Sequence, residues 1–203
     1  MFFIMSQSTK KKIMSAGLDL FSKYGFAGSS VRHIAKVVGV RESAIYNHFA
    51  SKEKILSEVL DQYNPEEAGI QLLTDDLLNE LDNPKKFLFK FSEKLLNHWN
   101  RDYERKILRL MVFEEFRDKS APEYSLRKLM SALQELWIII FNEMKKLGII
   151  KNVDSKILAN EFIAVLFFIR IEYLSGGDTR NLADAKKMLK SHIDFFWNAV
   201  KGG

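Results

Sequence analysis

Ser29-Ser30-Val31-Arg32-His33-Ile34-Ala35-Lys36-Val37-Val38-Gly39-Val40-Arg41-Glu42-Ser43-Ala44-Ile45-Tyr46-Asn47-His48-Phe49 is the stretch that decides the fold. It reads as two short helices joined by a tight turn. Ser29 and Ser30 are both candidate N-caps for a helix over Val31 to Val38, apolar at Val31, Ile34, Ala35 and Val38. Gly39 supplies the backbone freedom of the turn. A second helix, from about Arg41 to His48, turns Ile45 and Phe49 inward. Ala35 is small where the two helices cross, and Val40 and Ile45 fill their shared core. Arg41, Glu42, Ser43, Ala44, Asn47 and His48 then face outward, mostly small or hydrogen-bonding, as a base-reading surface requires. Helices joined in this way form the unit that lays its second helix in a major groove.

Working outward, the spacing predicts helices on both sides. Thr9 to Tyr24 carries Ile13, Gly17, Leu20, Phe21 and Tyr24 on one face, and Gly25 stops it. Ser51 caps a helix striped by Ile55, Leu56, Val59, Leu60 and Tyr63, and Asn64-Pro65 ends it. Glu66 to Leu81 reads as a helix of weaker periodicity. Asn83-Pro84 opens the next, with Phe87, Leu88, Phe91, Leu95 and Trp99 in line. A helix follows from Tyr103 to about Arg117, then a long one from Ser120-Ala121-Pro122-Glu123 to Gly148. Asp154 caps a helix that is apolar nearly all round over Phe162–Ile171, and Asn181 caps the last. No alternating strand pattern and no repeat appears, so the expected fold class is all-α. The expected domains are a helix-turn-helix head over residues 1–50 and a helical body over 51–203, with the helix over 51–63 joining them.

Composition bounds the function. The 203 residues are 47% hydrophobic with only three prolines, a globular chain of helices with short connections. Cysteine is absent, which excludes disulfides and cysteine-ligated metal and points to the reducing cytoplasm. No apolar run is long enough to span a membrane. The apolar start Met1–Met5 precedes Lys10, Lys11 and Lys12, the reverse of a secretory leader; it reads as a frayed leader, with Met5 a second candidate start. Residues 1–55 hold nine Lys or Arg against three acids, whereas the other 148 residues hold 22 against 23. All of the net charge of +5 therefore comes from the first quarter, a polyanion-binding head on a neutral body.

The combination resembles the tetracycline-repressor (TetR) family. Ala16-Gly17-Leu18-Asp19-Leu20-Phe21-Ser22-Lys23-Tyr24-Gly25-Phe26 is similar to that family's first helix and loop, and Ser29 to Ala35 to its second helix. Gly39-Val40, Ala44-Ile45-Tyr46-Asn47-His48-Phe49 and Ser51-Lys52-Glu53 resemble its turn, recognition helix and fourth-helix start. The match covers about residues 9–60; the family's commoner glycine is replaced by Ser43, a departure that touches base preference more than fold. The resemblance implies that Ser30, Tyr46, His48 and Lys52 hold phosphates and that Arg32, Glu42, Ser43, Ala44 and Asn47 face bases, with Arg41 able to do either. Phosphate contacts set register and base contacts set sequence. Glu42 must accept from a cytosine or pair with Arg41. The bland alternatives are a core aromatic for Tyr46 and a plain surface residue for His48.

The resemblance also implies a ligand pocket in the C-terminal region and a homodimer through the last two helices. The apolar helix over 154–174 agrees, since it must meet more than its own core. With Met188, Leu189, Ile193, Phe196, Trp197 and Val200 of the helix over 181–200 it forms a four-helix interface across a two-fold axis, or else it is fully internal. Candidate pocket residues are Trp99, Phe113, Phe116, Trp137, Phe141, Phe167 and Arg170, with core packing the alternative for each ring. Arg170 sits inside an apolar run with no acid three or four residues away on its own helix. It binds an anionic ligand group, pairs with another helix or chain, or reaches solvent.

Enzyme readings find no support. The four histidines show no metal spacing, no phosphate-loop glycine pattern occurs, and no cofactor is implied. The expected function is a repressor that binds a two-fold symmetric double-stranded operator and is released by a small, mostly apolar molecule, with Arg170 hinting at an acid group on it. The alternatives are a regulator without a small-molecule ligand, controlled by a protein partner or by abundance, and a helical carrier with a vestigial head. Tyr46 and Lys52 argue against the last.

Overall fold

Every regular element of the computed structural model, which describes residues 8–64, 69–115, 126–176 and 181–202, is helical. The one β feature among those residues is an isolated antiparallel bridge between Ile150 and Lys201. The chain divides into two compact units. One takes the chain to Tyr63 together with Lys106–Leu126, and the other takes Asn64–Arg105 and Arg127–Gly203.

In the first unit, α1 (Thr9–Tyr24) starts where the Ser8 hydroxyl accepts from the Lys11 N–H, and Gly25 ends it. The α2 helix (Val31–Val38) is capped by Ser30 rather than Ser29: the Ser30 hydroxyl accepts from His33 N at 3.1 Å. Helix α3 (Glu42–Tyr46) is shorter than the spacing predicted. Arg41 stays extended ahead of it without a side-chain cap, and the chain leaves the helix at Asn47. Ser51 caps α4 (Lys52–Asp61). Ile13, Phe21, Ile34, Ile45, Phe49 and Ile55 close one core; each such burial contributes about 1.5–3 kcal/mol. Helix α1 packs on α2 and α4. Gly17 lets it approach: a Cβ there would lie 2.9 Å from Ile55 Cγ2.

The second unit departs from expectation in two places. The span from Glu66 to Leu81 is not one helix. Residues 65–68 lie outside the described residues, and Thr74 is extended, so that a separate short α5 (Asp75–Leu78) begins there with two acids in its first turn. Acids beside free N–H groups favour a start at that point over continuation. Next come α6 (Pro84–Trp99), capped by Asn83, and α7 (Asp102–Glu115), within which the boundary between the units falls. The expected start of the long helix at Ser120–Glu123 lies outside the described residues; α8 is described over Leu126–Lys146.

Asp154 caps α9 (Ser155–Ile169) by accepting from Lys156 N and Ile157 N. The second departure comes directly after it: the chain widens into a π-helical turn, Arg170–Leu174. Such turns insert one residue into the helical path and re-aim the side chains beyond it. It begins at the one charged residue of the apolar run. Helix α10 (Asn181–Val200) packs on α6, α9 and the π turn. Leu189, Ile193, Phe196 and Val200 are buried inside this unit rather than offered to a partner, and Met188 and Trp197 are half-buried. Phe196 lies 5.5 Å from Phe141 and 4.8 Å from Phe162.

Candidate functional site

The helix-turn-helix is built from backbone outward. Gly39 takes φ 78°, ψ 32°, a left-handed conformation natural to glycine. The Ala35 carbonyl accepts from both Gly39 N at 2.9 Å and Val40 N at 3.0 Å, which closes α2 and aims the chain into α3. Ile34, Ala35, Ile45 and Phe49 hold the two helices together from below. What remains above is a row of exposed side chains: Ser30, Arg32, Arg41, Glu42, Ser43, Tyr46, Asn47 and His48. Ala44 is half-buried. Tyr46 is 54% exposed, so it is not a core ring. Glu42 lies 4.0 Å from Arg32 Nε, across from α2. At these exposures the pair is worth well under 1 kcal/mol and holds neither group back from DNA.

Lys52 behaves differently from the others. It is only half-exposed, and its ammonium donates to the Phe26 carbonyl at 2.8 Å and the Ser29 carbonyl at 2.7 Å, 4.0 Å above the Phe26 ring. Two of its three N–H donors thus tie α4 to the loop that precedes α2. The spacing of the sequence offered no sign of this tie, because it joins residues 26 and 23 positions apart.

In the second unit the aromatic candidates split. Trp99 and Arg170 meet: the guanidinium lies 4.7 Å above the indole. Trp137 and Phe141 stack at 5.7 Å, and with Phe91, Phe162, His192 and Phe196 they form one buried cluster. Phe167 is half-buried. Phe113 belongs to the first unit and is exposed, and Phe116 lies outside the described residues.

Arg170 is 1% exposed and its partner is Glu104. Nη2 lies 3.4 Å from Glu104 Oε2 and donates to the Glu104 backbone carbonyl at 3.3 Å. The other carboxylate oxygen, Oε1, lies 2.9 Å from His98 Nε2. The carboxylate therefore balances the arginine inside the protein, the second of the three possibilities above. Glu104 was legible in principle: it shares the apolar face of Ile107, Leu108 and Met111, where an acid is out of place unless paired. His192 is buried in the aromatic cluster. Burial holds its pKa below the usual histidine range, opposed by a hydrogen bond from the ring to the Phe162 backbone.

No group of three or more His, Asp or Glu among the described residues is placed to hold a metal ion, and no described helix is long and apolar enough to cross a membrane. The first unit is a helix-turn-helix head that presents hydrogen-bonding side chains on one short helix, with Arg32, Arg41 and His48 beside it, the architecture of a DNA-binding domain. Residues 13–59 match the family model described as bacterial regulatory proteins, tetR family. Over its length the chain is 25% identical to the biofilm operon icaADBC HTH-type negative transcriptional regulator IcaR of Staphylococcus epidermidis, covering 91% of this chain and 94% of that one. The head alone is 43% identical over 53 residues to the HTH-type transcriptional regulator RutR of Escherichia coli, 26% of this chain and 25% of that one. The fold is similar to SmeT, the repressor of the Stenotrophomonas maltophilia multidrug efflux pump SmeDEF. There the TM-score is 0.67 and the identity 19%, with 96% of this chain and 91% of that one covered. The head over residues 13–59 is thus a tetR-family DNA-binding domain, and over its length the chain is similar to DNA-binding transcriptional regulators.

Proposed function

We propose that this chain is a cytoplasmic homodimeric repressor whose two α3 helices read a two-fold symmetric operator, released when a small, mostly apolar molecule enters the second unit. The observation that carries the DNA half is the exposed row on α2 and α3 above a closed core. In this reading Asn47, Ser43, Ala44, Glu42 and Arg32 face bases, while Ser30, Tyr46, His48 and the third donor of Lys52 hold phosphates; Arg41 serves either. Relatives named as negative regulators and repressors support repression over activation.

The dimer half rests on apolar side chains that the protomer leaves outside. Ile157, Phe168 and Ile171 lie along one exposed face of α9 and the π turn, and Phe195 on α10 is 78% exposed. Large rings at such exposure mark an association surface rather than a solvated face. Phe195 therefore replaces Phe196 as the residue expected at the two-fold axis. Arg170, already balanced by Glu104, gives little reason to expect an acid group on the ligand.

One observation favours the regulator without a small-molecule ligand: Trp137, Phe141 and Phe162 are fully buried against one another, so a ligand must displace a ring. Selection of bound DNA from a random pool tests the proposal. Enrichment of an inverted repeat whose half-sites lie about 34–36 Å apart or a multiple of it, with affinity falling steeply in salt, is the expected result. No enriched site and a flat salt response would overturn it.

A further inference from the structure

The loop that joins α1 to α2 is held both from within and from α4. From within, the Ser29 hydroxyl donates to the Gly25 carbonyl at 2.9 Å and the Ser29 N–H to the Phe26 carbonyl at 3.2 Å. Gly28 is pressed against the end of α1: a Cβ there would lie 2.3 Å from the Tyr24 carbonyl oxygen, so a larger residue does not fit. From α4, the Lys52 ammonium donates to the Phe26 carbonyl at 2.8 Å and the Ser29 carbonyl at 2.7 Å, the two ends of the 26–29 segment. Lys52 is the first residue of α4, which Ser51 caps, so its stem starts from a fixed point.

The second of those carbonyls matters for DNA. It belongs to the peptide that joins Ser29 to Ser30, and a peptide is planar. By holding its oxygen, Lys52 sets the direction in which the chain leaves the loop and enters α2. Ser30 leaves with φ −136° and ψ 157°, exposed, its hydroxyl oxygen accepting from the His33 N–H at 3.1 Å. Its O–H remains a donor that points out of the head. Hydroxyl hydrogen bonds hold only within a few tenths of an ångström of about 2.7–2.8 Å. Rotation of the Ser29–Ser30 peptide therefore takes the hydroxyl away from a phosphate whose place is set by the rest of the duplex.

We propose that Lys52 is a positioning residue for DNA binding: through the Ser29–Ser30 peptide it holds the Ser30 hydroxyl where an operator phosphate meets it. This role is additional to the phosphate assigned above to the third Lys52 donor. It acts through a neutral group, so it persists in salt that screens charge. The inference rests on the reading above that Ser30 holds a phosphate.

The test is a pair of double-variant cycles on the full-length protein, Lys52→Met against Ser30→Gly and Lys52→Met against Tyr46→Phe. Binding is measured to a duplex selected from a random pool, at low and at high salt. Glycine removes the hydroxyl yet is nearly as good a cap. Phenylalanine removes a phosphate donor of α3, outside the loop. In the parent, Ser30→Gly is expected to weaken binding about tenfold, the scale of a hydrogen bond to a charged group. In Lys52→Met it is expected to cost less than about twofold at both salt concentrations, because the hydroxyl has already lost its place, while Tyr46→Phe costs the same in both backgrounds. Should Lys52→Met fail to fold, Lys52→Gln, with a shorter neutral donor, carries the same cycles. An equal loss from Ser30→Gly in both backgrounds, or a coupling present only at low salt, would overturn the positioning role and leave the Ser30 phosphate contact standing. Loss of the Tyr46→Phe effect as well would show that Lys52 merely keeps the head folded, and would overturn it too. No loss from Ser30→Gly in the parent would bring down the Ser30 reading and this proposal with it.

Discussion

The head and the body of this chain both bury aromatic rings, yet they treat polar groups in opposite ways. In the head the polar side chains are either outside, as on α3, or spent on the backbone, as Ser30 and Lys52 are. In the body they are inside: a carboxylate set between arginine and histidine, and an indole and an imidazole with unmet atoms. The difference teaches where function sits. A surface that reads DNA is satisfied by water until its partner arrives, so a finished scaffold beneath it costs nothing. In the body the buried polar atoms left unmet cost about 1–3 kcal/mol each, a cost the head avoids.

The largest expected effect breaks the body. Glu104→Ala leaves Arg170 buried without its carboxylate and is expected to destabilise the protein by about 3–5 kcal/mol in denaturant unfolding. Pairing it with Arg170→Met should recover most of that loss. Equal stability of the single and double variants would mean that the pair is not what holds Arg170.

A smaller effect addresses the exposed face. Phe195→Glu is expected to leave the fold intact and to weaken the dimer by about 2 kcal/mol or more in sedimentation, the scale of an interface anchor. An unchanged dimer moves the two-fold axis elsewhere.

Lys52→Met sharpens the account of the head. It removes two hydrogen bonds from a charged donor, so we expect about 1.5 kcal/mol lost from stability and weaker binding to all DNA sequences alike. A variant as stable as the parent would show the tie to Phe26 and Ser29 to be idle.

The smallest effect is the pH response of His192. Its folded pKa lies below the ordinary 6.5, so the unfolded chain takes up the proton first. Stability from this group is present above about pH 6.5 and is lost as pH falls towards the folded value. His192→Phe is expected to flatten that part of the stability curve, and an unaltered acid limb would contradict it.

How much was legible tracks the same division. The head could be read because its determinants are local: a cap at Ser30, a turn at Gly39 and inward residues at helical spacing, all within twenty or so positions. Phe195 and Phe196 show the limit in the body. Adjacent apolar residues on one helix point to different faces, and only the packing of Phe196 on Phe141 and Phe162 tells which is inside. The pairing of Arg170 with Glu104 spans 66 positions, and no periodicity reaches that far. The π turn had no signal beyond a charged residue in an apolar run. The break at Thr74 was the readable miss, since Thr-Asp-Asp is a helix start inside what looked like one weak helix.

The central claim is that α3 reads base edges on a scaffold complete without DNA. It is tested most directly by selecting DNA from one random pool with the parent protein and with Asn47→Ala. Asn47 is exposed at the end of α3 and supports none of the core, so the variant should fold and still enrich a symmetric site. The account predicts that preference is lost at one position in each half-site, by about 1–3 kcal/mol, while the other positions persist. The same preferences at every position, with affinity merely reduced, would contradict it.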